Sequence, residues 1–122
     1  MKIKQILTRF YVNDMEQAIR FYEKLLEEKC SSRFTYAQVG LELAVISNIL
    51  LISGSESALK PYRGTQATFL VDSVVGFKEM LLNNGARVIR DLQVVPTGIN
   101  ITIKHFDGTI IEYVEHKANN QI

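Results

Sequence analysis

One carboxylate stands out. Glu112 lies in Thr109-Ile110-Ile111-Glu112-Tyr113-Val114-Glu115, a run of branched and aromatic residues that predicts a strand. Strand alternation puts Ile111 and Tyr113 on one face and Ile110, Glu112 and Val114 on the other. Both faces are apolar in mid-strand apart from that carboxylate. Burying a carboxylate is costly unless it is paired, bound to a cation or protonated. Two readings follow: Glu112 is a general base or binding group, or it is partly exposed near a sheet edge. The two histidines add little. His105 adjoins the Asp107-Gly108 turn and His116 trails the last strand, so a converging two-histidine site is not expected. Cys30 is the single cysteine, which excludes an intrachain disulfide and a multi-cysteine zinc site. Nothing near it in sequence supplies a nucleophile's partner.

The elements that must position Glu112 form a repeated pattern. Ile3 to Val12 predicts a strand with Ile6, Phe10 and Val12 on one face and Leu7, Arg9 and Tyr11 on the other. Asn13-Asp14 is a helix start, and Met15, Ala18, Ile19, Tyr22, Leu25 and Leu26 form the stripe of a helix over residues 15–27. Strands are expected at 32–38, 41–46 and 49–53. Residues 54–65, with two glycines, two serines and Pro61, have no period and are expected to be a linker. The order then restarts. A strand at 66–71 precedes the helix start Asp72-Ser73, a stripe of Val74, Phe77 and Leu81, and the helix stop Asn83-Asn84-Gly85. Three further strands are expected at 87–95, 99–104 and 109–115. Asp14 and Ser73, Ala18 and Phe77, and Tyr22 and Leu81 match at a constant offset, so the chain reads β-α-β-β-β twice. The expected modules are about 3–54 and 66–116, in one domain spanning residues 1–122.

Composition removes several classes of function. Of 122 residues, 47% are hydrophobic and 22% charged, which is globular usage rather than that of a disordered chain. Fourteen Lys and Arg against thirteen Asp and Glu leave a net charge of +1, so no basic footprint for nucleic acid exists. No apolar run approaches the roughly 18 residues of a spanning helix, and no membrane partner is expected. Lys4, Gln5 and Arg9 interrupt any signal-peptide core, so the expected compartment is the cytoplasm.

Val12-Asn13-Asp14-Met15, with Ala18 and Phe21-Tyr22, resembles the "V-x-D-L-x-x-A-x-x-F-Y" opening of the vicinal oxygen chelate superfamily. That group includes glyoxalase I, extradiol dioxygenases and the fosfomycin- and bleomycin-resistance proteins. Phe106-Asp107-Gly108-Thr109-Ile110-Ile111-Glu112 is similar to its closing "P-D-G-N-x-I-E" motif, and Phe69-Leu70-Val71-Asp72 to its second-module entry. The resemblance runs from Ile3 to His116. It implies an α+β fold: two βαβββ modules forming a curved mixed sheet, helices outside and a cleft inside. It also implies a homodimer.

In the metal-dependent members, four inward side chains on the first and fourth strands of each module hold one divalent ion. Carried over residue by residue, those positions fall on Leu7, near Leu51, on Gln66 and on Glu112. Only Glu112 keeps a well-suited ligand type, so no divalent metal or other cofactor is expected. The family orientation would line a cleft with Leu7, Arg9, Tyr11, Leu51, Gln66, Thr68, Ile110 and Glu112. This is the mixed apolar and polar lining of a small-molecule site. Arg9 would pair with Glu112 or meet an anionic ligand. The expected function is metal-independent binding of a small molecule, such as sequestration of a drug or metabolite. The alternatives are a lyase or oxygenase of the same superfamily, with Glu112 as general base or residual metal ligand, and a regulatory module whose cleft is filled by its own side chains.

Overall fold

The computed structural model describes residues 1–117. Eight strands and three helices follow one another as β1 (Ile3–Val12), α1 (Met15–Leu26), β2 (Ser32–Tyr36), β3 (Leu41–Ile46), β4 (Ile49–Ser53), α2 (Glu56–Leu59), β5 (Ala67–Val71), α3 (Val74–Leu82), β6 (Arg87–Val95), β7 (Gly98–Lys104) and β8 (Ile110–His116). The fold is α+β, with the β-α-β-β-β order present twice. Two units divide the described residues: Thr8–Gly64 forms one, and Met1–Leu7 with residues 65–117 forms the other. The first residues of β1 thus group with the second module. Lys2 and Asp72 explain this: the Asp72 amide donates to the Lys2 carbonyl, and the Lys2 amide donates to Asp72 Oδ1.

In the Thr8–Gly64 unit the strand order is β2-β3-β4-β1. β1 runs parallel to β4, and β3 is antiparallel to both β2 and β4. Helix α1 begins where expected. The Asp14 carboxylate accepts from the Gln17 amide, satisfying one of the free N–H groups of the first turn. The helix buries Met15 and Ile19 against Ala44, Ile46 and Leu51, with Phe10, Val12, Ala18 and Tyr22 around them. The expected stripe ends early, because Leu25 is 61% exposed. Residues 54–65 are more ordered than a linker. Ser55 caps the single turn of α2, and Leu59 is fully buried. One buried leucine anchors a segment too short for its period to register in the sequence.

The second unit has the order β5-β8-β7-β6, with β5 and β8 parallel and the remaining pairs antiparallel. Ser73 Oγ accepts from the Gly76 amide, so it caps α3 as Asp14 caps α1. Glu115 adds a carboxylate at the same helix start, accepting from the Val74 amide at 3.1 Å. Helix α3 packs Val74 and Phe77 onto Val71, Ile101, Ile103, Ile111 and Tyr113. These residues define the helix-covered face of this unit. Gly98 opens β7 with a φ of +150°, where a Cβ would lie 2.1 Å from the Glu115 carbonyl oxygen. Only glycine allows the β7–β8 pairing to start there.

Candidate functional site

The face of the second unit turned away from α3 carries its polar residues. Cross-strand register puts Thr68 of β5, Glu112 of β8, Thr102 of β7 and Arg90 of β6 in one row. Residues directly opposite in register point to the same side of a sheet. Thr68 and Thr102 are buried, at 2% and 4% exposure, and Glu112 is half-buried. Thr68 Oγ1 donates to Glu112 Oε1 at 3.1 Å, and Asn100 Nδ2 donates to Oε2 at 3.0 Å. Each carboxylate oxygen therefore accepts from a neutral donor, which fixes the group's orientation.

His116 shares this face by alternation along β8. Its Nε2 is buried without a hydrogen-bond partner among the described residues. Burial lowers its pKa, the nearby Lys4 charge lowers it further, and Glu112 opposes both. His105 serves another purpose. Its Nε2 lies 2.6 Å from the Tyr113 hydroxyl and so satisfies a phenol buried under α3. Burial pushes that phenol's pKa up to about 12.

The residues expected from sequence fall in different places. Thr68 and Glu112 meet directly, and Ile110 shares their face. Leu7 is fully buried. Gln66 precedes β5, and its side-chain oxygen accepts from the Ile110 amide at 3.3 Å, so it ties the start of β8. Arg9 and Tyr11 lie on β1 opposite Leu50 and Ile52, and Phe10 and Val12 pack beneath α1 on the other face. Leu51 is a correction. It also packs beneath α1, opposite Phe10, and so is a core residue of its unit. The capped starts of α1 and α3 align Arg9 with Thr68. Leu50 pairs with Arg9 as Glu112 pairs with Thr68, so Leu50 is the counterpart of Glu112. A one-residue slip along a strand moves a side chain to the opposite face.

These donors do not fit a divalent metal. Leu7 and Leu50 offer no ligand atom, and the Gln66 oxygen is engaged with the backbone. That leaves one carboxylate already holding two neutral donors, short of the several converging oxygens or nitrogens such an ion takes. Among the described residues, no group of three or more His, Cys, Asp and Glu side chains is placed to hold an ion. No described helix is long and apolar enough to cross a membrane.

Asn100, Thr102 and Arg90 were not expected. The signal for the first two is visible in Ile99-Asn100-Ile101-Thr102-Ile103, where isoleucines alternate with polar residues. Arg90 was hidden because β6 is irregular in register on both sides of it.

No protein-family model matches this sequence, and no curated protein matches it. Solved structures do. An uncharacterized protein from Methanosarcina mazei is 54% identical, over 99% of this chain and 98% of that one, with a TM-score of 0.86. Methylmalonyl-CoA epimerase from Mycobacterium tuberculosis is 20% identical, over 94% of this chain and 89% of that one, with a TM-score of 0.76. A hypothetical protein from Bacillus halodurans is 18% identical, over 99% and 98%, with a TM-score of 0.76. The chain belongs to one family with the Methanosarcina mazei protein, and its fold is that of the vicinal oxygen chelate superfamily, which includes methylmalonyl-CoA epimerase.

Proposed function

We propose that the chain binds a small organic molecule on the sheet face that carries Glu112, without a resident metal. The observation that supports this most is the Glu112 carboxylate, half-buried in mid-strand and held at both oxygens by Thr68 and Asn100. An oriented anion among buried hydroxyls and apolar residues is the kind of polar group that fixes a ligand in an otherwise apolar site. On this reading Thr68, Ile110 and Glu112, which the sequence suggested, would line the site together with Asn100, Thr102 and Arg90. A ligand hydroxyl, amide or ammonium group would donate to Glu112.

A second reading makes the same carboxylate a general base. Its two neutral donors orient it, and chains of the same fold include an epimerase. The two readings separate on one variant. Glu112→Gln keeps the shape and loses the charge, so it would weaken binding in the first reading and abolish turnover in the second.

The test is a metabolite screen on the isotope-labelled protein, read at the amides of Thr68, Asn100, Thr102 and Glu112. A molecule that shifts these amides together, and binds Glu112→Gln about tenfold more weakly, supports the reading. Shifts that avoid these amides, or equal affinity in Glu112→Gln, overturn it.

A further inference from the structure

His105 satisfies the Tyr113 phenol, whereas His116 ends β8 with a ring nitrogen that nothing satisfies among the described residues. Its Nε2 is buried, and a buried polar atom without a partner is both costly and rare in folded proteins. Gly98 stands opposite His116 in the β7–β8 pair and has no side chain to offer the ring. Burial and the Lys4 charge lower the pKa of His116 against the pull of Glu112, so the ring is neutral at pH 7. Its Nε2 then offers one donor or one acceptor, according to tautomer.

The strand fixes where this nitrogen lies relative to Glu112. Ile111 and Tyr113 pack beneath α3, so Glu112, Val114 and His116 share the opposite face of β8. Four residues of strand separate the Glu112 and His116 Cα atoms by about 13 Å. Between them Val114 pairs with Leu70 of β5, and both are buried. Asn100 lies opposite Val114 on β7, with its amide turned to Glu112. Along β8 the face is therefore polar at Glu112, apolar at Val114 and Leu70, and polar again at His116.

We propose that the molecule bound on the Glu112 face is elongated, with an apolar middle over Val114 and Leu70 and a neutral hydroxyl or carbonyl group hydrogen-bonded to His116 Nε2. This rests on the Glu112 reading and adds the far end of the ligand to it.

The test uses the full chain and straight-chain amino alcohols of graded length, up to about 13 Å between ammonium and hydroxyl, with n-alkylamines of equal length as controls. The ring-nitrogen resonances of His116 are followed in each titration. Long amino alcohols should shift the Nε2 resonance and bind about three- to tenfold more tightly than the matching alkylamine. His116→Phe should erase that difference, and His116→Gln should restore part of it. The ring resonance is read on the unaltered protein, so the test stands even where a variant folds poorly. Amine binding that ignores Glu112→Gln counts against the Glu112 reading. Amine binding that depends on Glu112, yet leaves the His116 resonance unmoved at every length or gains nothing from the hydroxyl, overturns this inference alone. Absence of saturable binding by every amino alcohol also overturns it.

Discussion

Thr68→Val tests whether the Glu112 cluster is built as described. Valine keeps the shape of threonine and favours a strand, so the change isolates the hydroxyl. Thr68 is 2% exposed, and its hydroxyl donates to Glu112 Oε1 at 3.1 Å. A hydrogen bond to a charged group contributes about 1.5–3 kcal/mol, and removing it leaves a half-buried carboxylate oxygen short of a donor. For a chain of this length that corresponds to a fall in Tm of roughly 5–10 °C. Urea unfolding should show a lower midpoint with an unchanged slope. The decisive comparison is a double-mutant cycle. With Glu112→Leu in place, the hydroxyl has lost its acceptor, so adding Thr68→Val should cost less than about 0.5 kcal/mol. Equal losses in the two backgrounds would refute the coupling, and so would a loss below about 0.5 kcal/mol in the native background.

Gly98→Ala should destabilise the protein by at least about 3 kcal/mol, or prevent folding, because the new Cβ would meet the Glu115 carbonyl at 2.1 Å; soluble yield and urea midpoint report it. Glu27 ends α1 in the left-handed region at φ 54°, so Glu27→Gly should stabilise by about 0.5–1 kcal/mol, measured by thermal unfolding. The buried Tyr113 phenol has a pKa of about 12 when folded and about 10 when unfolded, so the unfolded state loses its proton first. Stability that is complete below pH 10 should therefore fall by about 2–3 kcal/mol between pH 10 and 12, and Tyr113→Phe should remove that part of the slope. Burial lowers the pKa of His116, so the unfolded state binds the proton more readily; stability should decline as pH falls through about 6.5, less steeply in His116→Gln.

Much of the fold was legible because local signals agreed with one another. Asp14 and Ser73 cap the two longer helices at matching positions, and the Asp107-Gly108 turn falls between β7 and β8. Residues 54–65 were less legible, since α2 is a single turn held by Leu59 and too short to show a period. The site was legible where one strand decided it: alternation along β8 placed Glu112 on the face away from α3. It failed where register decided it. Leu51 was expected on a binding face and instead packs against Phe10 beneath α1, because cross-strand alignment cannot be read from one strand's own pattern. The donors that hold Glu112 come from β5 and β7, and Asn100 reaches it from a pair one step along the sheet, opposite Val114. Gln66 shows the same limit: its type suggested a binding group, and its oxygen serves the β8 backbone.

The most direct test of the metal-free binding site is metal content and affinity measured on wild type and Glu112→Gln side by side. Elemental analysis after gentle purification would be followed by titration with nickel, zinc, manganese and ferrous iron. The side chains at Leu7, Leu50, Gln66 and Glu112 lead to the expectation of no stoichiometric metal, and of no ion bound more tightly by wild type than by Glu112→Gln. One tightly held ion per chain, lost in Glu112→Gln, would contradict the account and make Glu112 a metal ligand.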